Sequence, residues 1–320
     1  MPENYVIAVD LGGTNLRVGT VNREGEIAFR EKEPSNSHAG SAVVLGRVAE
    51  MVRRAAAKVQ EKVIGLSLGF PGIINAETGV VHQSPHFPDW KDLEVLSYFK
   101  KEFPWPVVVD NDANHAALGE GWKGAGKGLK NFIMLTFGTG IGGGIVLNGE
   151  VLRGDRGFAG EIGHIGIDPE GPQCGCGGRG CLELYASAGG LKYLIKTSDD
   201  VQGREKLIER LGGVIERVSI RGLYEAARDG DLFASRTFRR MGYYLGIGLN
   251  TLLNTLGVET FILGGGIAEA WDFFIEPTRK ELTHRAYREA VKQVQIKKTL
   301  LGDDAGLVGG ASRFFRRGDL

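Results

Sequence analysis

Short apolar runs alternate along this chain with stretches whose apolar residues recur at helical spacing. The chain opens with an apolar run from Tyr5 to Val9, a polar glycine turn from Asp10 to Asn15, and a second apolar run from Leu16 to Val21. Runs of this length between turn residues are typical of β-strands. Residues 42–62 then carry apolar side chains at the spacing of an amphipathic helix, so the pattern predicts an α/β protein.

The second half of the chain repeats this opening. Residues 132–147 again contain an apolar run, a glycine turn and a second apolar run. The repetition indicates that one β-hairpin unit is duplicated, and the segments around each copy predict a mixed sheet in each half. We therefore expect two lobes with a cleft between them. The small N-terminal lobe is predicted to hold residues 1–113, with about 303–320 returning to it, and the large lobe residues 114–302.

Charge and hydropathy limit the partners that this chain is expected to have. Lys plus Arg and Asp plus Glu both number 39, so the chain carries no net charge, unlike most proteins that bind nucleic acid or membrane surfaces. No basic leader precedes the first apolar run, and the longest apolar region, 242–266, is interrupted by Asn250, Asn254 and Glu259. That region fits a buried helix and strand better than a membrane span. A cytoplasmic protein without a nucleic-acid or membrane partner is expected.

Glycine marks the candidate ligand sites. It makes up 50 of 320 residues, about twice the usual share of roughly 7%. The turns "DLGGTNLR" (10–17) and "TFGTGIGGG" (136–144) each set a threonine, Thr14 or Thr139, beside residues that leave backbone N–H groups uncovered. Such turns can surround a phosphate. Each turn alone is equally consistent with a hairpin that binds nothing, but two in matching positions favour phosphate.

A third glycine site, "LGGG" (263–266), follows a strand. Its amides either lie against a nucleotide base or sugar or simply form a strand–helix corner. Neither of the first two turns is a P-loop or a dinucleotide fingerprint, because each lacks a lysine and leads into a strand. Together the three sites resemble those of the superfamily of sugar kinases, actin and heat-shock ATPases, in which a duplicated β-sheet domain binds ATP and Mg²⁺. The resemblance implies that Asp10 lies near the metal, through water, and that Thr14 and Thr139 lie near the phosphates.

An acidic residue ends the stretch "VVVDND" (107–112), where an alanine-rich helix begins. Asp112 has two interpretations: it is the N-cap of that helix, or it is the general base that accepts the proton of a sugar hydroxyl attacking ATP. We favour the base, with Asn111 as a partner of the hydroxyl. Asp110 lies nearer the interior of the strand, so Asp112 is preferred to it as the base.

The cysteines form one cluster in the sequence. Cys174, Cys176 and Cys181 are the three cysteines of the chain, and His164 precedes them. Three thiolates and one imidazole make a complete tetrahedral ligand set for Zn²⁺. The alternatives are a disulfide and three free thiols. An odd count without a sign of secretion argues against the disulfide, and free thiols have no reason to be grouped. We predict a structural Zn²⁺ ion.

The same stretch carries a more specific resemblance. The sequence "GEIGHIGIDPEGPQCGCGGRGCLELYAS" (160–187) closely resembles the signature of the ROK family (repressors, open reading frames and kinases), particularly its bacterial glucokinases. The resemblance extends over essentially the whole chain. It implies a two-lobed actin-like ATPase (ribonuclease H-like) fold with a zinc loop, phosphorylation of glucose at the 6-hydroxyl by ATP with Mg²⁺, and a homo-oligomer, either a dimer or a tetramer.

The resemblance also implies functional residues. Asp112 is the implied catalytic base, and His164 both binds zinc and faces the sugar. The implied sugar-binding residues are Gly72, Asn111, Asp112, Glu161, His164 and Glu183. The implied nucleotide-binding and Mg²⁺-binding residues are Asp10, Gly12, Gly13, Thr14, Asn15, Arg17, Gly138, Thr139, Gly140, Gly264, Gly265 and Gly266.

Two alternatives to a glucokinase are retained. One is a kinase for another hexose or an N-acyl hexosamine, such as N-acetylmannosamine, fructose or mannose. Glucokinases of the family often have an asparagine after the proline of "SPHFPDW", where this chain has His86. The other is a sugar-responsive ROK regulator of transcription. Such a regulator needs a DNA-binding domain before the first strand, which already begins at Tyr5. A filament-forming or chaperone-like ATPase has no need of the zinc loop.

Overall fold

The computed structural model describes residues 4–59 and 62–316. Predicted segments that reach residues 1–3, 60–61 or 317–320, such as the ends of the helix at 42–62 and of the returning segment 303–320, lie partly outside the described residues. The strands, in chain order, are β1 (Tyr5–Leu11), β2 (Asn15–Val21), β3 (Ile27–Pro34), β4 (Val63–Phe70), β5 (Ile73–Asn75), β6 (Val80–Gln83), β7 (Lys91–Glu94), β8 (Val107–Asn111), β9 (Phe132–Phe137), β10 (Ile141–Leu147), β11 (Glu150–Val151), β12 (Thr260–Gly264) and β13 (Gln295–Lys298).

Helices connect and flank these strands. In chain order they are α1 (Ser41–Val59), α2 (Val95–Glu102), α3 (Asp112–Lys123), α4 (Glu183–Ala186), α5 (Ala188–Lys196), α6 (Val201–Arg210), α7 (Ile220–Arg228), α8 (Leu232–Leu256), α9 (Trp271–Arg285), α10 (Arg288–Val291) and α11 (Ala305–Phe315). Among the described residues, none of the helices combines the length and the apolar content needed to cross a bilayer.

The described residues form two five-stranded sheets. When the strands of each sheet are numbered by their order in the chain, both sheets have the order 3-2-1-4-5. The first runs β3-β2-β1-β4-β8 and the second β11-β10-β9-β12-β13. In the first, β1, β2 and β3 pair antiparallel, and β4 and β8 add in parallel. In the second, β10 pairs antiparallel with β11, and β12 pairs in parallel with β13. The mixed α/β fold with a duplicated sheet domain is therefore confirmed. A small third sheet has the order β5-β6-β7.

The first hairpin is longer than its hydrophobic pattern indicated. The predicted strand ended at Val9, but β1 continues to Leu11, which pairs with Leu16 of β2. Both leucines are almost fully buried, so the core extends the strand through a position that looked polar. Asp10 consequently lies in β1, opposite Arg17, rather than in the turn.

The described residues group into two compact units. The first combines the chain up to Met134 with Gly143–Gly160 and the segment from Thr299 onward. The second consists of Leu135–Gly142 and Glu161–Lys298. The crossings from one unit to the other thus fall inside β9 and β10, after residue 160 and after residue 298.

These units group some residues differently from the predicted lobes. The predicted small lobe ended at residue 113, whereas the first unit also contains α3, which packs along α11. A Cβ atom at Gly309 of α11 would lie 1.6 Å from the carbonyl O of His115 in α3, so the two helix backbones touch. The lobe boundaries themselves, 1–113 with 303–320 and 114–302, stay a prediction, because a lobe is defined by the residues that move together.

The core of the first unit follows the alternation of β1. Ile7 and Val9 pack with the apolar faces of α1 and α2, whereas Val6 and Ala8 pack on the other side of the sheet with Leu307 of α11. This arrangement covers both faces of the central strands, as their continuous apolar sequence requires.

In the second unit, α8 is the longest helix described and packs along α9. The Asp231 side chain caps its start by accepting a hydrogen bond from the N–H of Ala234, and Gly257 ends it at a φ of 64°. An aspartate N-cap and a left-handed glycine at the C-terminus are the termination signals expected for such a helix.

Candidate active site

The turn between β1 and β2 is fixed by hydrogen bonds within the first unit. The N–H of Gly12 donates to the carbonyl O of Asn15 over 2.8 Å. Ser35, which follows β3, donates through its hydroxyl to the carbonyl O of Gly13 over 2.8 Å and through its N–H to that of Thr14 over 2.9 Å. Thr14 itself is exposed. The turn is therefore held from the side of β3, with its threonine at the surface of the unit.

Asp10 and Arg17 form an ion pair beside this turn. Nη1 of Arg17 donates to Oδ2 of Asp10 over 3.1 Å, and Nη2 donates to Oδ2 of Asp303 over 2.8 Å. Burial raises the pKa of Asp10, and the Arg17 guanidinium opposes that effect. Arg17, which was predicted to bind the cofactor, thus bridges two carboxylates of the first unit. One mostly buried carboxylate next to a turn that is predicted to bind phosphate suits Mg²⁺, which commonly keeps most of its water.

The start of α3 bears on the capping interpretation of Asp112. Asn111 is the N-cap, because its Oδ1 accepts hydrogen bonds from the N–H groups of Ala113 over 2.8 Å and Asn114 over 3.3 Å. Its Nδ2 donates to the carbonyl O of Gly72 over 3.1 Å. Asp112 is the first residue of the helix and is half-buried. Asn111 therefore has the N-cap role that one interpretation gave to Asp112, although Oδ1 of Asp112 also accepts a hydrogen bond from the N–H of Ala113 over 2.9 Å. The role of Asp112 as the base stays a prediction.

The second glycine turn, between β9 and β10, is held by a glutamate of its own unit. The N–H of Gly138 donates to the carbonyl O of Gly140 over 2.9 Å, and Thr139 is exposed. Glu183, at the start of α4, accepts a hydrogen bond from the N–H of Ile141 over 2.9 Å. Glu183, predicted to bind sugar, therefore also touches the turn that was predicted to bind phosphate.

The histidine and the three cysteines come together in space. The ligand atoms of His164, Cys174, Cys176 and Cys181 all lie within 4.8 Å of one another. Sγ of Cys176 is 3.7 Å from Sγ of Cys181, and Sγ of Cys174 is 3.7 Å from Nδ1 of His164. Two sulfurs bound to one tetrahedral zinc at about 2.3 Å lie about 3.8 Å apart. The three thiols are free, so the disulfide alternative is wrong, and the spacing fits zinc.

His164 faces two groups at once. Its Nδ1 is turned to the cysteine cluster, and its Nε2 lies 3.8 Å from Oε2 of Glu161. Burial raises the pKa of Glu161, the His164 imidazole opposes this effect, and the nearby Glu183 carboxylate adds to it. The three predicted sugar-binding residues of the second unit are therefore neighbours, and one of them is also a candidate zinc ligand.

The third glycine site borders a cavity of about 510 Å³ in the second unit. Strand β12 ends at the buried Gly264, and Gly265 and Gly266 are exposed. Both Gly138 and Gly266 line the cavity. The remaining wall comes mainly from α7, and its lining residues there are Ile220, Arg221, Tyr224, Glu225 and Arg228.

The α7 residues were missed by the sequence analysis. No motif marks them; they follow a polar region, and Ser219, which caps the helix, shows only where it begins. The buried residues of α7, Leu223, Ala226 and Ala227, predict one inward face. Which ligand the remaining positions border depends on residues far away in the chain, such as Gly138 and Gly266.

His86, the departure from the family pattern, lies against the first glycine turn. A Cβ atom at Gly13 would lie 2.8 Å from Cγ of the His86 ring. The imidazole therefore covers the Cα of Gly13 within the first unit.

Comparison with known proteins agrees with this geometry. Residues 6–316 match the family model described as the ROK family. The chain belongs to the ROK family. Over 314 residues it is 36% identical to a protein named glucokinase from Halalkalibacterium halodurans, and the match covers 97% of this chain and 94% of that protein.

A ROK structure gives the same fold. The crystal structure of a ROK family glucokinase from Streptomyces griseus, in complex with glucose and AMPPNP, is 32% identical. It matches with a TM-score of 0.85 and covers 97% of this chain and 99% of its own. A repressor is also similar: the xylose repressor of Bacillus subtilis is 30% identical over 311 residues, which are 96% of this chain and 76% of the repressor.

Proposed function

We propose that this ROK protein is an ATP-dependent glucokinase, which transfers the γ-phosphoryl group of ATP to the 6-hydroxyl of glucose. The relative from Halalkalibacterium halodurans is named glucokinase, and the similar Streptomyces griseus enzyme was crystallised with glucose and AMPPNP. Because ATP and glucose meet in the cytoplasm, the proposed activity also implies a cytoplasmic protein. The predicted homo-oligomer, a dimer or tetramer, stays a prediction that size-exclusion chromatography with light scattering tests.

The observation that carries the proposal is the double contact of His164. With Nδ1 turned to three cysteine sulfurs, its lone pair would bind Zn²⁺ and its proton would reside on Nε2. That N–H faces Glu161, so a donor and an acceptor for sugar hydroxyls stand side by side. When bound, Zn²⁺ would fix the orientation of the imidazole.

In the first unit, Asp112 would accept the proton of the attacking hydroxyl. The transition state of phosphoryl transfer is loose, so the hydroxyl gains little positive charge before transfer. A carboxylate that orients the hydroxyl and takes its proton late is therefore sufficient. Asn111 keeps the start of α3 in place, and its Nδ2 links that start to Gly72.

The nucleotide would be bound by the glycine turns. Thr14 and Thr139 are exposed at their respective turns and would donate hydrogen bonds to phosphate oxygens. The cavity bordered by Gly138, Gly266 and Tyr224 has the size and apolar character suited to a nucleoside. Asp10 would hold Mg²⁺ through water, and the ion would supply positive charge that offsets the charge of the phosphates.

An ADP-release assay with a panel of hexoses tests this function. The purified chain is expected to release ADP with glucose and Mg-ATP, and glucose 6-phosphate is identified by mass spectrometry. N-acetylmannosamine, fructose and mannose are the comparison substrates. If one of these sugars is phosphorylated and glucose is not, that sugar is the substrate in place of glucose. If no sugar of the panel, glucose included, is phosphorylated, the kinase proposal is rejected.

A regulator of transcription is the second candidate, because the xylose repressor of Bacillus subtilis matches 96% of this chain. A regulator would bind sugar without turning over ATP. Isothermal titration of glucose in the absence of nucleotide, together with the ADP-release assay, separates the two candidates. Sugar binding without ADP release, accompanied by a gel shift of promoter DNA, would favour the regulator.

A further inference from the structure

A buried carboxylate lies next to the proposed catalytic residues. The Asp110 side chain is 2% exposed. Its Oδ1 accepts hydrogen bonds from the N–H of Asn111 over 2.9 Å and from Nδ2 of Asn114 over 3.0 Å. Its Oδ2 accepts from Nε and Nη2 of Arg153, over 3.0 and 2.6 Å, and from Nη1 of Arg313 over 2.8 Å. Both oxygens of the carboxylate are therefore fully engaged.

Charge keeps this carboxylate ionised. Burial alone would raise the pKa of Asp110, but the Arg153 guanidinium, the nearby His115 imidazole and Arg313 together hold that pKa below its usual value. Burying an ion pair contributes little net stability, because the charges lose their hydration. The benefit of such a group lies more in the geometry that it imposes on its partners.

The two oxygens fix two different segments. Oδ1 holds the backbone of Asn111 and the side chain of Asn114, which lie on either side of Asp112 at the start of α3. Oδ2 holds Arg153 in the segment after β11. Arg153 in turn closes a loop, because its carbonyl O accepts a hydrogen bond from the N–H of Ala159 over 3.1 Å.

This loop ends against the start of α3. A Cβ atom at Gly160 would lie 2.7 Å from the carbonyl O of Gly143 and 3.9 Å from Oδ1 of Asn114. Gly160 is the last residue of its segment of the first unit, and the next residue is Glu161. The chain therefore leaves the first unit toward Glu161 beside Gly143 and near Asn114, whose side chain donates a hydrogen bond to Asp110.

We propose that Asp110 and Arg153 are a positioning pair for the sugar-binding residues. The inference rests on the proposed function. Asp110 holds the helix start that carries Asp112, and Arg153 ties the loop preceding Glu161 to the same carboxylate. Neither side chain touches the sugar; both act through the residues that they hold.

Arg313 supplies a matched control. It binds the same oxygen of Asp110 and lies on α11, outside the loop that leads to Glu161. Removing it weakens the same charge cluster without releasing that loop. If the cluster only stabilises the fold, replacing either arginine should change the hexose KM equally. If it positions the sugar-binding residues, only the replacement of Arg153 should change the hexose KM.

The experiment compares Arg153→Gln with Arg313→Gln in the full chain, using the hexose that the wild type phosphorylates best. Arg153→Gln is expected to raise the hexose KM about tenfold, because small displacements of substrate-orienting groups are costly, while the KM for ATP stays within about twofold. Arg313→Gln is expected to lower the Tm by about as much as Arg153→Gln does, and to leave the hexose KM at the wild-type value.

Further variants keep the test decisive. If Arg153→Gln does not fold, Arg153→Lys retains the charge without the two-nitrogen contact, and an intermediate rise in hexose KM is expected. The positioning role would be rejected if a folded Arg153 variant had an unchanged hexose KM. It would also be rejected if Arg313→Gln raised the hexose KM equally. A wild type that phosphorylates no hexose would instead reject the proposed function, so the two failures are distinguishable.

Discussion

At the start of α3, the adjacent residues Asn111 and Asp112 are expected to have different roles. Asn111 is the N-cap, and Oδ1 of Asp112 shares with it the N–H of Ala113, while Asn111 alone also accepts from the N–H of Asn114. Asparagine and aspartate are about equally good N-caps, which is why the sequence alone could not decide between them. The arrangement makes the two side chains separately testable.

Replacing Asp112 by asparagine is expected to remove activity without unfolding the protein. The amide cannot accept the hydroxyl proton, so kcat should fall by about a hundredfold or more, as is usual for the loss of a general base. Hexose binding by isothermal titration and the Tm should stay near wild type. Asn111→Ala is the control: loss of the cap should lower stability by about 1 kcal/mol. A large loss of Tm in Asp112→Asn with normal kcat would contradict these roles.

At the scale of elements, α3 and α11 are joined by backbone contact. A Cβ atom at Gly119 would lie 2.2 Å from the carbonyl O of Ala305, and one at Gly309 would lie 1.6 Å from that of His115. Both helices must therefore separate, or one must bend, if either glycine gains a side chain. The same two helices carry Asp112 and Arg313.

Gly309→Ala is expected to destabilise the chain by about 3 kcal/mol, in the range of overpacking in a dense core. The matched control is Gly46→Ala in α1, where no atom lies within 4 Å of the added Cβ. That change should stabilise by about 0.5–1 kcal/mol, because alanine favours the helix. Urea unfolding of both variants measures the difference; equal stabilities would disprove the close contact.

The loop that contains the cysteines is expected to depend on its metal. Cys176→Ser removes one of four ligands, so zinc content by mass spectrometry should fall from one ion per chain toward zero. Because His164 links the cluster to Glu161, hexose KM should rise more than the KM for ATP. Treating the wild type with a chelator should reproduce both effects, and added Zn²⁺ should reverse the chelator's effect. A zinc-free protein with a normal hexose KM would show that hexose binding does not depend on the metal in this loop.

At the scale of the whole molecule, the acid sensitivity of folding should trace to one histidine. Burial lowers the pKa of His115 to about 4; Asp110 opposes this effect, and Arg313 and Arg153 add to it. An unfolded histidine has a pKa of about 6.5. Between these values the unfolded state binds a proton that the folded state excludes, so stability falls as the pH is lowered through this window.

The free energy of unfolding in urea should therefore drop by about 2 kcal/mol between pH 7 and pH 5 on account of His115. In His115→Gln, which cannot titrate, the difference between the two pH values should shrink by about that amount. Asp110, whose pKa is lowered, loses its contribution only at more acidic pH, below about 4. An unchanged pH dependence in the variant would show that other groups carry it.

Much of the fold was predictable because it follows local pattern. The paired hairpins, the Asn148–Gly149 turn and the helix at α1 can be read from apolar spacing and turn residues, and the cysteine spacing gave the complete metal cluster. Two features were not predictable. Arg17 donates hydrogen bonds to Asp10 and Asp303, and α7 forms one wall of the cavity. They depend on residues that are far apart in sequence, and no local pattern encodes such contacts.

The position of α11 has a consequence for biosynthesis. Val6 and Ala8 are synthesised about 300 residues before Leu307 and Ala311, the α11 residues that cover them. Until α11 has been synthesised, this face of β1 stays uncovered. The nascent chain therefore exposes an apolar surface that promotes aggregation and that chaperones can bind. We expect truncation before residue 305 to yield insoluble material.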